Sequence, residues 1–296
     1  MTSKVLRVAV FMPQFKWERM NLDRVKPETH GIELVPADFN TDLTNFDGII
    51  HKFTYQLTDG HEKDVENVLN YVRQRKDIFM IEPIEKINIF LNRKTFQDLI
   101  ISSNSFPKNV KYVEGTEDLD SINVFPTILK PIEACGTTYS HSIRIVHSKE
   151  QLKEIPNNNV KLMGFPFIKH YGIVFKCYSL GSNYVMRASG SLVLHNNNST
   201  QFDSQKPLPE DLMNTTFGNQ ETNKIAPSQE ELKEIAQFLQ SVTGIQLLGF
   251  DILRDEETNQ LCIVDVNYFP CFRGIENIGD KFADFIKEKA SQINKK

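Results

Sequence analysis

Leu248-Gly-Phe-Asp251-Ile-Leu253 is followed by a polar run, Arg254-Asp-Glu-Glu-Thr-Asn-Gln260, and then by Leu261-Cys-Ile-Val-Asp265-Val-Asn267-Tyr-Phe-Pro270. The two flanking runs are short, apolar and rich in Val, Ile, Leu and Phe, and the Asp/Glu/Asn-rich stretch between them predicts a β-hairpin with a long turn. Side chains alternate across a strand, so Asp265 and Asn267 share one face and Val264 and Val266 the other. If the hairpin pairs in register, Asp251 joins the first face. Three oxygen-bearing side chains in apolar sequence are costly to bury unless something neutralises them, and a hard cation such as Mg²⁺ does so with oxygen ligands. The plainer alternative is that these groups close turns or pair with a nearby Arg.

The rest of the chain places that hairpin in a large protein. With 296 residues, 40% of them hydrophobic, length suggests two or three domains. Thirty-four basic and 38 acidic residues give a net charge of -4, so there is no global footprint for nucleic acid, and anion binding has to come from a local cluster. The four cysteines, Cys135, Cys177, Cys262 and Cys271, form no C-x-x-C pair, which argues against zinc and redox motifs and fits a reduced compartment. The apolar run Val8–Met12 is too short for a secretory segment, and no run of about 18 apolar residues occurs. A cytoplasmic, monomeric enzyme without membrane insertion is expected.

Taken in order, strands are predicted over 4–12, 32–35, 47–52 and 78–81, with a helix over 59–75 carrying Val65, Val68, Leu69 and Val72 at helical spacing. This alternation predicts a small parallel α/β domain, whose ligands belong outside the carboxyl ends of its strands. A helix over 94–102 follows, then strands over 110–113, 124–130, 142–146, 162–169 and 173–180, with a short helix over 149–154. Strands over 184–188 and 191–194 precede a long polar loop to about residue 224. Ser228 and Glu231 form a capping box for a helix that buries Leu232, Ile235, Ala236 and Leu239 and ends at Gly244.

Two lysines stand out in the middle. Lys130 ends Phe-Pro-Thr-Ile-Leu-Lys before Pro131, which biases it towards an extended conformation. Lys176 is the one charge in Gly-Ile-Val-Phe-Lys-Cys-Tyr. Each ammonium either snorkels to an edge or pairs with an anion. Together with the acidic hairpin they suit a nucleoside triphosphate and its Mg²⁺. Between them, Ala134-Cys-Gly136-Thr137-Thr-Tyr-Ser140-His141 offers backbone N–H and hydroxyl groups that could cradle a phosphate, or form an ordinary turn. There is no G-K-[ST] Walker motif and no G-x-G-x-x-G, which disfavours P-loop and Rossmann readings.

The order Lys-Pro, Gly-Thr-x-x-Ser-His, a lone strand Lys, Gly-Phe-Asp-Ile-Leu and Val-Asp-Val-Asn-x-Phe-Pro resembles the ATP-grasp fold, and specifically the inositol 1,3,4-trisphosphate 5/6-kinase (inositol-tetrakisphosphate 1-kinase) family. His51-Lys52-Phe-Thr is similar to that family's His-Lys-Leu-Thr signature, and Leu-Asn-Arg93-Lys to its Asp-Arg segment. The resemblance covers essentially the whole chain. It implies an amino-terminal parallel α/β domain over 1–93 on the inositol phosphate side, a central domain over 94–176, and a carboxyl-terminal domain over 177–296 carrying the hairpin. The last two would be antiparallel-sheet domains gripping ATP, and the first would close over the inositol. Arg93, Lys130, Gly136, Thr137 and Lys176 would hold ATP, and Asp251, Asp265 and Asn267 two Mg²⁺ ions.

Lys16, Lys52, His141, Lys169, His170, Arg187 and Cys271 would lie at the inositol phosphate, with His141, Lys176 and Asp265 in the chemistry. The implied reaction transfers the ATP γ-phosphate to the 5- or 6-hydroxyl of inositol 1,3,4-trisphosphate, with position 1 of inositol 3,4,5,6-tetrakisphosphate as a further acceptor site. His141 would be a base or only a phosphate ligand. The chain departs from the family pattern at Cys135 (usually His), Phe165 (a polar Gln), Cys271 (Gly) and Arg273 (Glu), which puts the preferred isomer in question. An ATP-grasp carboxylate-amine ligase, or a non-catalytic ATP-binding protein, is the alternative.

Overall fold

The computed structural model describes residues 4–293 except 104, 157–158 and 214–218. Four parallel strands open the chain: β1 (Leu6–Phe11), β2 (Ile32–Pro36), β3 (Gly48–His51) and β4 (Phe79–Ile81), in the order β2-β1-β3-β4. Their side chains alternate between two cores, as a sheet covered on both faces requires. Ala9, Phe11 and Ile49 meet the helix Glu62–Gln74 through Val65, Val68 and Leu69, whereas Val8, Val10 and Ile50 face a much larger cluster.

That larger cluster continues into a second sheet. Its strands are β5 (Val110–Tyr112), β9 (Ile173–Leu180), β10 (Asn183–Gly190), β12 (Leu247–Arg254) and β13 (Leu261–Tyr268), in the order β10-β9-β12-β13-β5. Phe175, Cys177, Leu248 and Phe250 share one core with Val8, Val10 and Ile50. The amino-terminal sheet and the hairpin are therefore packed as one body. A third sheet, β11-β7-β6-β8, is formed by β6 (Thr127–Pro131), β7 (Ser142–Val146), β8 (Leu162–Pro166) and β11 (Thr200–Asp203). It has a small core of its own, Ile122, Leu129 and Val146, and meets the second sheet through Met163, Phe165, Val174, Leu253 and Cys262.

Several expectations need correction. The boundary expected at 176/177 falls inside β9, which pairs along its whole length with β10 and from Phe175 to Leu180 with β12. β5 runs parallel to β13, so the second sheet is mixed rather than wholly antiparallel. Residues 191–194 form no strand, only a bridge from Leu192 to Met213, and the predicted polar loop contains β11, paired to the edge of β7. The helix Gln229–Thr243 starts and stops as its sequence dictates. Ser228 Oγ accepts from the Glu231 N–H, Glu231 accepts from the Ser228 N–H, and Gly244 closes it at φ +72°.

The hairpin pairs in the register that places Asp251 opposite Asp265 and Gly249 opposite Asn267. Immediately beyond, Ile252 pairs with Ile263, leaving Val264 as a β-bulge. The bulge changes the simple alternation, and Val264 reaches the same cavity as Asp251 and Asp265. Gly249 is needed because a Cβ there would lie 2.9 Å from Pro270, which folds back over β12.

Candidate active site

A cavity of about 400 Å³ opens between the second and third sheets. Its charged end is a row of cross-strand neighbours. Lys176 on β9 stands opposite Asp251 on β12, which stands opposite Asp265 on β13. Lys176 Nζ donates to Asp251 Oδ2 at 2.8 Å, and Asn267 Nδ2 donates to Asp265 Oδ2 at 2.6 Å. From the other side Lys130, at the end of β6, donates to the Val264 carbonyl at 3.3 Å and lies 5.3 Å over the Phe165 ring. Arg93, at the start of the helix Arg93–Ser102, spans the loop between β6 and β7. It donates to the carbonyls of Pro131 (2.6 Å), Glu133 (2.9 Å) and Ser140 (3.3 Å).

The electrostatics follow from this crowding. Burial pushes the Asp251 carboxyl up, Lys176 opposes the shift, and Asp265 reinforces it. Asp265 is also desolvated, yet Lys130 and Arg93 together draw its carboxyl below the ordinary range. Burial lowers Lys130, whereas the pull of Asp251 outweighs burial and raises Lys176. His141 lines the same cavity, and its imidazole is lowered by burial and by the Arg93 charge. Two like charges directly opposite across strands destabilise a hairpin unless cations compensate them.

Arg93, Lys130, Lys176, His141, Asp251, Asp265, Asn267 and His170 all line this one cavity. Gly136 and Thr137 stand beside it rather than in its lining. Gly136 has φ +82° and lies so close to Thr58 that a Cβ would clash with that side chain, while Thr137 Oγ1 and Arg93 Nε are buried without a hydrogen-bond partner. Apolar side chains line the cavity too, among them Phe167, Ile168, Leu192, Phe202 and Leu208. Phe202 and Leu208 come from the stretch read as a polar loop, whereas Phe165–Ile168 was a visible apolar run.

The other expected substrate residues separate into two groups. Lys16 and Lys52 lie together beneath the turn after β13. Lys16 Nζ donates to the carbonyls of Phe269 and Pro270, the latter at 2.7 Å, and Lys52 Nζ donates to the Tyr268 carbonyl. Burial lowers Lys52 to about 8, partly countered by the neighbouring Cys135 and Cys271. Cys271 also couples to Lys16, which places both thiols at this cationic corner. Arg187 stands opposite Lys176 on β10, packs on Gly274, and has a buried, unpartnered Nε. Among the described residues, no contact brings Lys169 or His170 to this corner. Lys169 is exposed and pairs with Glu256 at 3.5 Å, and the His170 ring is engaged by the Ile168 carbonyl (2.6 Å) and Ser191 Oγ (2.8 Å).

Residues 108–288 match the model of the inositol 1,3,4-trisphosphate 5/6-kinase ATP-grasp domain, more than half of the chain. The chain belongs to that family. Among relatives of this inositol 1,3,4-trisphosphate 5/6-kinase family, inositol-tetrakisphosphate 1-kinase of Danio rerio is 26% identical over 313 residues, covering 95% of this chain and 78% of that one. Inositol-tetrakisphosphate 1-kinase 2 of Glycine max is 26% identical, covering 90% and 88%. Inositol-tetrakisphosphate 1-kinase 6 of Oryza sativa subsp. indica is 23% identical, and the chain spans only 56% of its length. Solved structures establish the ATP-grasp fold itself. D-cycloserine synthetase DcsG superposes with a TM-score of 0.61 at 11% identity, covering 97% of this chain and 99% of that one. D-alanine–D-alanine ligase from Bacillus anthracis gives 0.58 at 12%, covering 98% and 99%. Among the described residues no helix is long and apolar enough to cross a membrane.

Proposed function

We propose that the protein is a Mg²⁺-dependent kinase that transfers the γ-phosphate of ATP to the 5- or 6-hydroxyl of inositol 1,3,4-trisphosphate, and to position 1 of inositol 3,4,5,6-tetrakisphosphate. The observation that carries this reading, beside family membership, is the row Lys176–Asp251–Asp265 facing Lys130 and Arg93 across one cavity. A nucleotide's phosphates need cations from both sheets, and its metal needs oxygen donors. The carboxylates of Asp251 and Asp265 and the amide oxygen of Asn267 are hard oxygen donors of the kind Mg²⁺ takes, and two ions are expected there. When bound, the metal would neutralise the β- and γ-phosphate charge. The apolar side chains of the lining suit the adenine.

The acceptor is read into the corner held by Lys16 and Lys52. In the transfer, an inositol hydroxyl oxygen bonds to the γ-phosphorus as the bond to the β-phosphate oxygen breaks, and ADP leaves. The hydroxyl proton passes to His141. Its lowered pKa keeps the imidazole neutral near pH 7, which favours proton acceptance over binding phosphate as a cation. Positioning and charge neutralisation do most of the remaining work.

The test is a panel of inositol phosphate isomers incubated with ATP and Mg²⁺, with the phosphorylated position assigned by NMR. Inositol 1,3,4-trisphosphate is expected to gain phosphate at position 5 or 6. Turnover confined to a carboxylate and an amine would replace this reading with that of a ligase.

A further inference from the structure

A chain of hydrogen bonds outside the cavity ties the amino-terminal sheet to the metal-ligand hairpin. The Glu82 carboxylate, just after β4, accepts from the backbone N–H groups of Gln246 (2.8 Å) and Leu247 (2.7 Å) where β12 begins. The Glu82 carbonyl lies 2.8 Å from Nε2 of His51, and the His51 carbonyl accepts the Tyr268 hydroxyl at 2.7 Å. The Tyr268 carbonyl then accepts Lys52 Nζ, whose charge also sits 4.7 Å over the Tyr268 ring. Residues 51–52 and residue 268 thus clasp each other in both directions. Glu82, His51 and Tyr268 are buried, so a polar group released here finds no water to replace its partner.

Tyr268 directly follows Asn267, and the turn beyond it is conformationally demanding. Phe269 and Phe272 hold φ of 43° and 47°, a region bulky residues avoid, and both rings are buried. Lys16 caps two carbonyls of that turn. Both cations of the acceptor corner therefore hang from residues 268–270, a few residues past Asp265.

We propose that Tyr268 and His51 are positioning residues: their clasp sets Lys52, and with it Lys16, in register with Asp265 and Asn267, so that an anionic acceptor is aligned with the γ-phosphate. The inference rests on the kinase reading above. Neither residue lines the cavity, and each acts through Lys52.

Tyr268→Phe removes one hydroxyl and keeps the ring under Lys52. It is expected to raise the KM for inositol phosphate roughly three- to tenfold, the scale of one buried hydrogen bond, with the KM for ATP unchanged. In a Lys52→Met background the same substitution should add nothing. Equal effects in both backgrounds, a parallel rise in the ATP KM, or no effect at all overturns the proposal. His51→Gln keeps the carbonyl that accepts the Tyr268 hydroxyl but removes the imidazole that anchors residue 51 to Glu82, should give the same split, and keeps the test decisive if Tyr268→Phe does not fold. A wild-type protein that phosphorylates no inositol phosphate overturns the kinase reading instead. The clasp is then read from reductive methylation of the Lys52 amine, severalfold faster in Tyr268→Phe if the clasp holds Lys52 and unchanged if it does not.

Discussion

Asp251 stands directly opposite Asp265 across the β12–β13 hairpin, and the Val264 bulge begins immediately beyond the pair. Both carboxylates line one cavity, with Lys176 paired to Asp251 and Lys130 and Arg93 acting on Asp265. Asp265→Ala removes a carboxylate proposed as a metal donor and leaves Lys130 and Arg93 without their counter-charge. We expect kcat to fall by on the order of 100-fold or more with the fold retained, since charge compensation in the transition state is lost. Near-normal turnover in a folded variant would show the hairpin carboxylates to be structural.

Lys176→Met replaces the ammonium by a side chain of similar volume in an otherwise apolar strand. Loss of a partly screened phosphate contact should weaken ATP binding by about 1–3 kcal/mol, roughly fivefold to 150-fold. Calorimetric titration with a non-hydrolysable ATP analogue measures it directly. Unchanged affinity would mean that Lys176 serves only to neutralise Asp251.

His51 gives a pH signature in stability. Burial lowers its imidazole to about 4, so the unfolded chain takes up a proton near the ordinary value of 6.5 before the folded one does. A group with a depressed folded pKa loses its contribution as pH falls, here between about 6.5 and 4. From pH 7 to pH 5 wild type should lose about 2 kcal/mol more than His51→Gln. Urea unfolding of both proteins at the two pH values checks this, and parallel losses would contradict it.

Lys52 gives a signature in catalysis. Lowered by burial to about 8, it loses its charge as pH rises through that value, well before an ordinary lysine. The kcat/KM for inositol phosphate reports the free enzyme, so it should decline above about pH 8. Lys52→Arg, which stays charged, should move that limb upward. An alkaline limb identical in both proteins would assign it to another group.

Much of this architecture is written in local sequence. Alternation at Val8, Ala9, Val10 and Phe11, the Ser228–Glu231 box, and the two halves of the hairpin are each set by neighbours within a few residues. What escaped is of three kinds. The edge strand β11, Thr200–Asp203, is short and polar because it needs only one partner, so it looked like loop. The Val264 bulge depends on register with a facing strand, which periodicity in one strand does not encode. The anchoring of Lys16 and Lys52 on carbonyls more than 200 residues away is a tertiary fact with no local trace. The clasp of Tyr268 on His51 leaves no local trace either, since Tyr268 reads in sequence as one more apolar strand residue.

We propose that the cavity and the lysine corner act together to phosphorylate an inositol phosphate. A single time course of the protein with ATP, Mg²⁺ and inositol 1,3,4-trisphosphate, followed by ³¹P NMR, tests it most directly. We predict ADP and an inositol tetrakisphosphate in equal amounts, with no inorganic phosphate accumulating. Release of ADP and inorganic phosphate with the trisphosphate unchanged, or no consumption of ATP at all, would contradict it.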